Sequence, residues 1–139
     1  MCIRDRRSIR TEADAFATFI VEAIRANGLD LGRTTFLGYS NGANVVSSVM
    51  LLHPGLIERA VLLRAMPVLD DVPVADLSKA HVLVIAGAAD LTYGPFAPAL
   101  AELLREYGAA VEARTVPAGH EFGADDASIV RDWLARLRQ

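Results

Sequence analysis

The feature that most constrains this chain is a regular exchange between two hydrophobic periodicities. Short apolar runs of strand type alternate with longer stretches whose apolar residues recur at helical spacing. Parallel strands cannot be joined by a tight turn, and a helix supplies the crossover they need, so this alternation predicts a parallel sheet with helices on both faces. Ala13, Phe16, Ala17, Ile20, Ala23 and Ile24 predict a helix stopping at Gly28. Residues 35–39 (TFLGY) lie between Gly32 and Ser40-Asn41-Gly42 and predict a strand. Residues 41–53, with Val45, Val46, Val49, Met50 and Leu52 before Pro54, predict a second helix. Residues 60–63 and 82–86 (VLVIA) predict two more strands, and Phe96, Leu100, Leu103, Leu104 and Tyr107 a helix closed by Gly108. Residues 111–116 alternate apolar and polar, as a half-exposed edge strand does, and Ile129, Val130, Trp133, Leu134 and Leu137 mark a last amphipathic helix.

TFLGY has the unbroken apolar character of an interior strand, yet no strand-like run precedes it. The expectation is therefore a sheet of about four strands in which whatever should cover TFLGY is missing, leaving it as an exposed apolar edge open to self-association.

Composition narrows the class. At 139 residues, 53% apolar and 22% charged, with a net charge of −3, the chain suits one globular domain and excludes a disordered segment. The acidic balance gives no electrostatic case for nucleic acid, and no apolar run is long enough to span a membrane. The single cysteine, Cys2, excludes a disulfide framework and a cysteine zinc site. The polar stretch from Arg4 to Glu12 lacks the apolar core of a secretory leader, so the expected location is cytoplasmic. Arg4, Arg6, Arg7 and Arg10 read as a solvated end. Residues 1–6 look like translated adapter sequence and are set aside as a non-native scar, leaving 7–139 as part of one domain.

Chemistry concentrates at Gly38-Tyr39-Ser40-Asn41-Gly42, a G-x-S-x-G pattern between a predicted strand and a predicted helix. A nucleophile elbow holds its serine in a strained turn, and glycines on either side let strand and helix approach closely. The helix N-terminus directs N–H groups and the positive dipole end toward developing negative charge. A serine hydroxyl needs a base, and the base an orienting acid. His120 follows the strand 111–116 through Pro117-Ala118-Gly119, where such a base belongs. His81 begins a strand at the opposite end of the sheet, and His53 closes the elbow helix where a cation suits the dipole; both read as structural. Asp90 follows VLVIA and Gly87-Ala88-Ala89, at the same end of the sheet as Ser40, and is the candidate acid. Asp70-Asp71 reads as a solvated turn, Asp125 and Asp126 as capping residues of the last helix, and Glu121 as solvent-facing. Arg64, ending a strand, is expected to pair with a nearby acid rather than greet a substrate carboxylate. Met66 and Leu91, on loops at the same sheet end, are candidates to line a substrate pocket.

The stretches LGYSNGANVV, AVLLRAMPVL, VLVIAGAAD and PAGHEF, within residues 34–122, resemble the C-terminal part of α/β-hydrolases of the carboxylesterase/phospholipase type. Small esterases related to hydroquinone-pathway hydrolases and, more distantly, acyl-protein thioesterases are the nearest in pattern. The resemblance implies Ser40 as nucleophile, Asp90 as acid, His120 as base and the Asn41 backbone N–H as one oxyanion donor, with no metal or organic cofactor. It also implies further N-terminal strands and a His-Gly loop with a second oxyanion donor, for which this sequence offers no counterpart before Ser40. The family's acid is commonly followed by a proline-containing stretch, whereas Leu91-Thr92-Tyr93-Gly94 follows Asp90. The expected activity is hydrolysis of a small-molecule carboxylic ester through an acyl-serine intermediate, weak or absent in this polypeptide alone. The alternatives are an acyl-protein thioesterase or lysophospholipase and, from a different class, a non-catalytic α/β-hydrolase-like binding module.

Overall fold

A computed structural model describes residues 6–138. Residues 1–5 of the expected scar lie outside the described residues, and Arg6 opens the first helix. The elements follow the predicted alternation: α1 (Arg6–Asn27), β1 (Phe36–Tyr39), α2 (Asn41–Leu52), β2 (Arg59–Leu63), β3 (His81–Gly87), α3 (Ala97–Glu106), β4 (Ala110–Val116) and α4 (Ala124–Leu137). Helix α1 begins at Arg6, about two turns before the predicted stripe, and Ile9 extends its apolar face, packing on Met66, Val68 and Tyr93. Gly28 ends that helix with φ +63, a left-handed conformation that glycine adopts without cost.

The four strands pair in parallel in the order β1-β2-β3-β4. The two-residue period of a strand sends alternate side chains to opposite faces, and β2 and β3 bury both. Ala60, Leu62, Val82, Val84 and Ala86 meet α2, α3 and, beyond them, α1 through Ala13, Ala17, Ile20, Val46, Val49, Leu100 and Leu104. Val61, Leu63, Leu83 and Ile85 meet Trp133 of α4 and Val116 of β4. Helices therefore cover both faces.

The outer strands differ. β4 is an edge, as its alternation predicts, with Glu112 held by Arg114 and Arg136. β1 is the other edge among the described residues, despite its interior-type sequence. Phe36 and Gly38 face the helices α1 and α2, whereas Leu37 and Tyr39, in register with Val61 and Leu63, are 55% and 41% exposed. Leu37 lines an open groove with Phe122 and with Val130 and Leu134 of α4.

Candidate active site

Parallel strands all end at the same side of a sheet, and that side gathers the predicted residues. Ser40 follows β1 and N-caps α2, with φ 57 and ψ −120. A non-glycine residue there costs of order 1–3 kcal/mol and persists only where its surroundings hold it. Here the Ser40 N–H donates to Leu63 O at 2.8 Å, and Ser40 O accepts from Asn44 N–H at 3.1 Å. The two glycines of the motif have unequal roles. A Cβ on Gly38 would stand 2.7 Å from Ala43 Cα and N, so the tight strand–helix crossing depends on it. A Cβ on Gly42 would meet nothing within 4 Å, which corrects the expectation that both glycines are needed for close packing.

Ser40 Oγ lies 2.7 Å from His120 Nε2, and His120 Nδ1 lies 2.7 Å from Asp90 Oδ2. The structure thus brings together three residues separated by 50 and 30 positions in the chain. Asp90 is buried, and its other oxygen accepts the backbone N–H groups of Thr92 and Tyr93, both at 3.1 Å. Burial works against its ionisation, but the hydrogen bond to His120, the two N–H donors and the nearby imidazole prevail and hold its carboxyl below the ordinary aspartate range. The Asn41 N–H follows Ser40 directly in the first turn of α2, where helix geometry supplies no intrahelical acceptor.

His120 sits in the irregular stretch 117–123, where neither helix nor strand fixes the backbone. Its ring packs against Tyr93, centroids 4.7 Å apart, and Tyr39, 5.5 Å apart. The Tyr39 hydroxyl donates to His120 O at 2.8 Å. Arg64 donates from Nε to Gly119 O at 2.9 Å and from Nη2 to Glu121 O at 2.7 Å. It also grips Asp126 through Nη1–Oδ1 at 2.8 Å and Nη2–Oδ2 at 2.9 Å. Asp126 is more than the capping residue the sequence suggests. Its Oδ2 does accept the Gly123 N–H at 3.0 Å, yet the residue is fully buried and both oxygens are committed to Arg64. Burial would raise its pKa, but the Arg64 bonds, the Gly123 N–H and the guanidinium charge hold it low. Arg64 accordingly pairs with an acid, as expected of it. Glu121 is exposed and folds back to accept the Gly119 N–H at 3.0 Å.

Two further positions escaped the sequence reading. A Cβ on Gly87 would stand 2.6 Å from Ala118 O and nearer still to Gly119 O, so this glycine lets the His120 loop lie directly on the strand that leads to Asp90. Tyr39 carries the bond to His120 O although its place in the motif is formally free. Arg64 left a readable trace, as a charge embedded in an apolar run. Gly87 left only its place at the end of such a run.

The remaining candidates lie elsewhere. His53 caps α2 and its Nε2 meets Asp14 Oδ1 of α1 at 2.8 Å. His81 is exposed at the start of β3, at the far end of the sheet. Met66 is buried with Ile9, Val68 and Tyr93, and Leu91 is 89% exposed, so the described residues do not gather the two into one apolar cluster.

A parallel sheet with helices on both faces and a strained serine at a strand-to-helix turn match the α/β-hydrolase fold, of which this chain carries a C-terminal portion. Comparison with known proteins bears this out. The chain is 60% identical to a carboxylesterase from Mesorhizobium loti, superposing with a TM-score of 0.91 over 94% of its own length and 63% of that enzyme's. A carboxylesterase from Bacillus cereus superposes with a TM-score of 0.89 at 23% identity, covering 96% of this chain and 63% of that one, a likeness of fold. The protein named "Putative hydrolase MhqD" of Bacillus subtilis (strain 168) is 26% identical over 130 residues, 93% of this chain and 65% of that protein. The chain therefore spans a little under two thirds of the length of these relatives. No protein-family model matches it.

Proposed function

We propose that this chain carries the acyl-transfer residues of a serine hydrolase acting on carboxylic esters. The observation that carries the reading is the continuous hydrogen-bonded line Ser40 Oγ–His120 Nε2 and His120 Nδ1–Asp90 Oδ2, with both links at 2.7 Å. In the reactive tautomer His120 keeps its proton on Nδ1, from which it donates a hydrogen bond to Asp90, and presents a lone pair at Nε2. Ser40 Oγ attacks the ester carbonyl carbon as its proton passes to Nε2, and the carbonyl electrons move onto oxygen. The Asn41 N–H and the amino end of α2 receive that charge. When the tetrahedral adduct collapses, the leaving alkoxide takes the proton from Nε2 and an acyl-Ser40 remains. Water, deprotonated by His120, then releases the acid and restores Ser40. Asp90 stays ionised throughout, consistent with its depressed pKa.

The Asn41 N–H is the one oxyanion donor in this reading. Loss of a donor typically costs about 10²–10³ in turnover, so slow catalysis is expected of the polypeptide by itself. A fluorophosphonate probe tests the assignment independently of turnover. Stoichiometric phosphonylation at Ser40, located by mass spectrometry and abolished in Ser40→Ala, is the expected result. A folded protein that takes no adduct would count against Ser40 as the nucleophile, and the same result in the full-length parent would favour a non-catalytic binding module. Activity rising along a series of acyl chains toward long ones would favour a thioesterase or lysophospholipase instead.

A further inference from the structure

Three consecutive carbonyls of the His120 loop are each caught by a side chain from the end of another strand. Arg64 takes those of Gly119 and Glu121, and Tyr39 takes that of His120 itself. No helix or strand fixes residues 117–123, so the loop that carries the imidazole is held by these bonds together with Ala89 N–H to Ala118 O, Gly119 N–H to Glu121 Oε1 and Gly123 N–H to Asp126 Oδ2. Arg64 is the largest fully buried side chain among the described residues and makes four hydrogen bonds from its guanidinium. Its backbone is strained as well. At φ 56 it joins Ser40 as one of two described non-glycine residues with positive φ, and the two sit at the ends of neighbouring strands.

Neither the burial nor the strain is explained by stability. A buried ion pair contributes little to stability compared with well-packed apolar side chains, and water could satisfy surface carbonyls without burying a cation. Backbone strain of this kind collects where a conformation is held for a purpose. A substrate-binding role is closed to Arg64, because its side chain is fully buried and committed to loop carbonyls and Asp126.

We propose that Arg64, anchored by Asp126 and assisted by Tyr39, is a positioning residue that sets His120 between Ser40 and Asp90 by gripping the carbonyls on either side of it. The proposal rests on the hydrolase reading above. It requires arginine specifically, because a planar guanidinium reaches two carbonyls and a carboxylate together, whereas an ammonium is a single point.

The test uses Arg64→Lys and Tyr39→Phe in the full chain, with circular dichroism and thermal melting to establish folding. Fluorophosphonate labelling separates the maximal rate at saturating probe from the half-saturating concentration. Displacement of a reacting group by about 1 Å can cost about 10²-fold. The maximal rate should therefore fall about 10²-fold in Arg64→Lys and several-fold in Tyr39→Phe, with half-saturation nearly unchanged. Proton NMR supplies a readout that needs no chemistry at Ser40: a deshielded Nδ1–H from the His120–Asp90 bond is expected in the parent chain and should broaden or vanish in Arg64→Lys. A folded Arg64→Lys with parental labelling rate and an intact Nδ1–H signal would overturn the proposal. So would a change confined to half-saturation, which would assign Arg64 to the ligand. If Arg64→Lys does not fold, Tyr39→Phe decides, and an unaltered rate and signal there overturn it. If the parent chain takes no adduct at Ser40, the hydrolase reading fails, and the Nδ1–H signal alone then supports or refutes the clamp.

Discussion

Two histidine–aspartate pairs in this protein have nearly the same length and different surroundings. His120 Nδ1 stands 2.7 Å from Asp90 Oδ2, and His53 Nε2 stands 2.8 Å from Asp14 Oδ1. Asp14 is largely exposed and His53 about one third exposed, with solvent free to compete for both. Asp90 is sealed from water, two backbone N–H groups fix its second oxygen, and His120 has Ser40 on its other nitrogen and aromatic rings beside it. A distance does not define a relay. The two imidazoles are about equally exposed, at 38% and 36%, so burial of the acid, a second partner on each group and a constrained loop turn the same contact into one with direction.

The strongest way to break this comparison is to neutralise each acid in turn. Asp90→Asn should lower the rate of Ser40 acylation by about 10⁴, because the amide no longer holds the imidazole in the productive tautomer. Asp14→Asn, and equally Asp70→Asn or Asp71→Asn, should leave that rate unchanged in stopped-flow labelling. A large loss in one of these instead would move the acid away from Asp90.

The same contrast recurs in two arginine–carboxylate pairs and predicts a difference in stability. Asp126→Ala leaves a buried guanidinium without its counter-ion and should cost about 3–5 kcal/mol in urea unfolding. Arg136 meets Glu112 at 2.9 Å on the solvated edge of the sheet, and Glu112→Ala should cost no more than about 1 kcal/mol. Comparable losses would mean that burial is not what separates the pairs.

Acid titration sharpens the contrast more gently. Asp90 and Asp126 titrate below the ordinary aspartate value of 3.8 in the folded chain. A carboxyl whose folded pKa is depressed lends stability that is complete above its unfolded pKa and is lost as pH falls through the folded one. Melting temperature should therefore hold from neutrality down to about pH 4 and then drop. Asp126→Asn should flatten that drop.

The fold was legible in the sequence because its signals are local. Strand runs, helical stripes and Gly28 each act within a few residues, and Ser40, Asp90 and His120 each follow a strand-type run, so a parallel sheet brings all three to one side. Unseen were the contacts that join distant segments at a cost no local pattern records. Arg64 and Asp126 are 62 positions apart, and an aspartate in a first helical turn satisfies the capping pattern whether or not it has a buried partner. Gly87 is required by a backbone that arrives about 30 residues later. TFLGY shows the converse. Its apolar side chains describe a strand wanted on both sides, and the described residues supply a neighbour on one.

The left-handed backbone of Ser40 sets heat tolerance against chemistry. Glycine would adopt φ 57 freely and relieve strain of order 1–3 kcal/mol, whereas the hydroxyl exists only at the expense of that strain. A population screened for survival on heating would drift toward losing its nucleophile, and one screened for hydrolysis would keep a chain easier to melt. Variants of this protein gathered by thermal selection alone would therefore be a poor place to look for its activity.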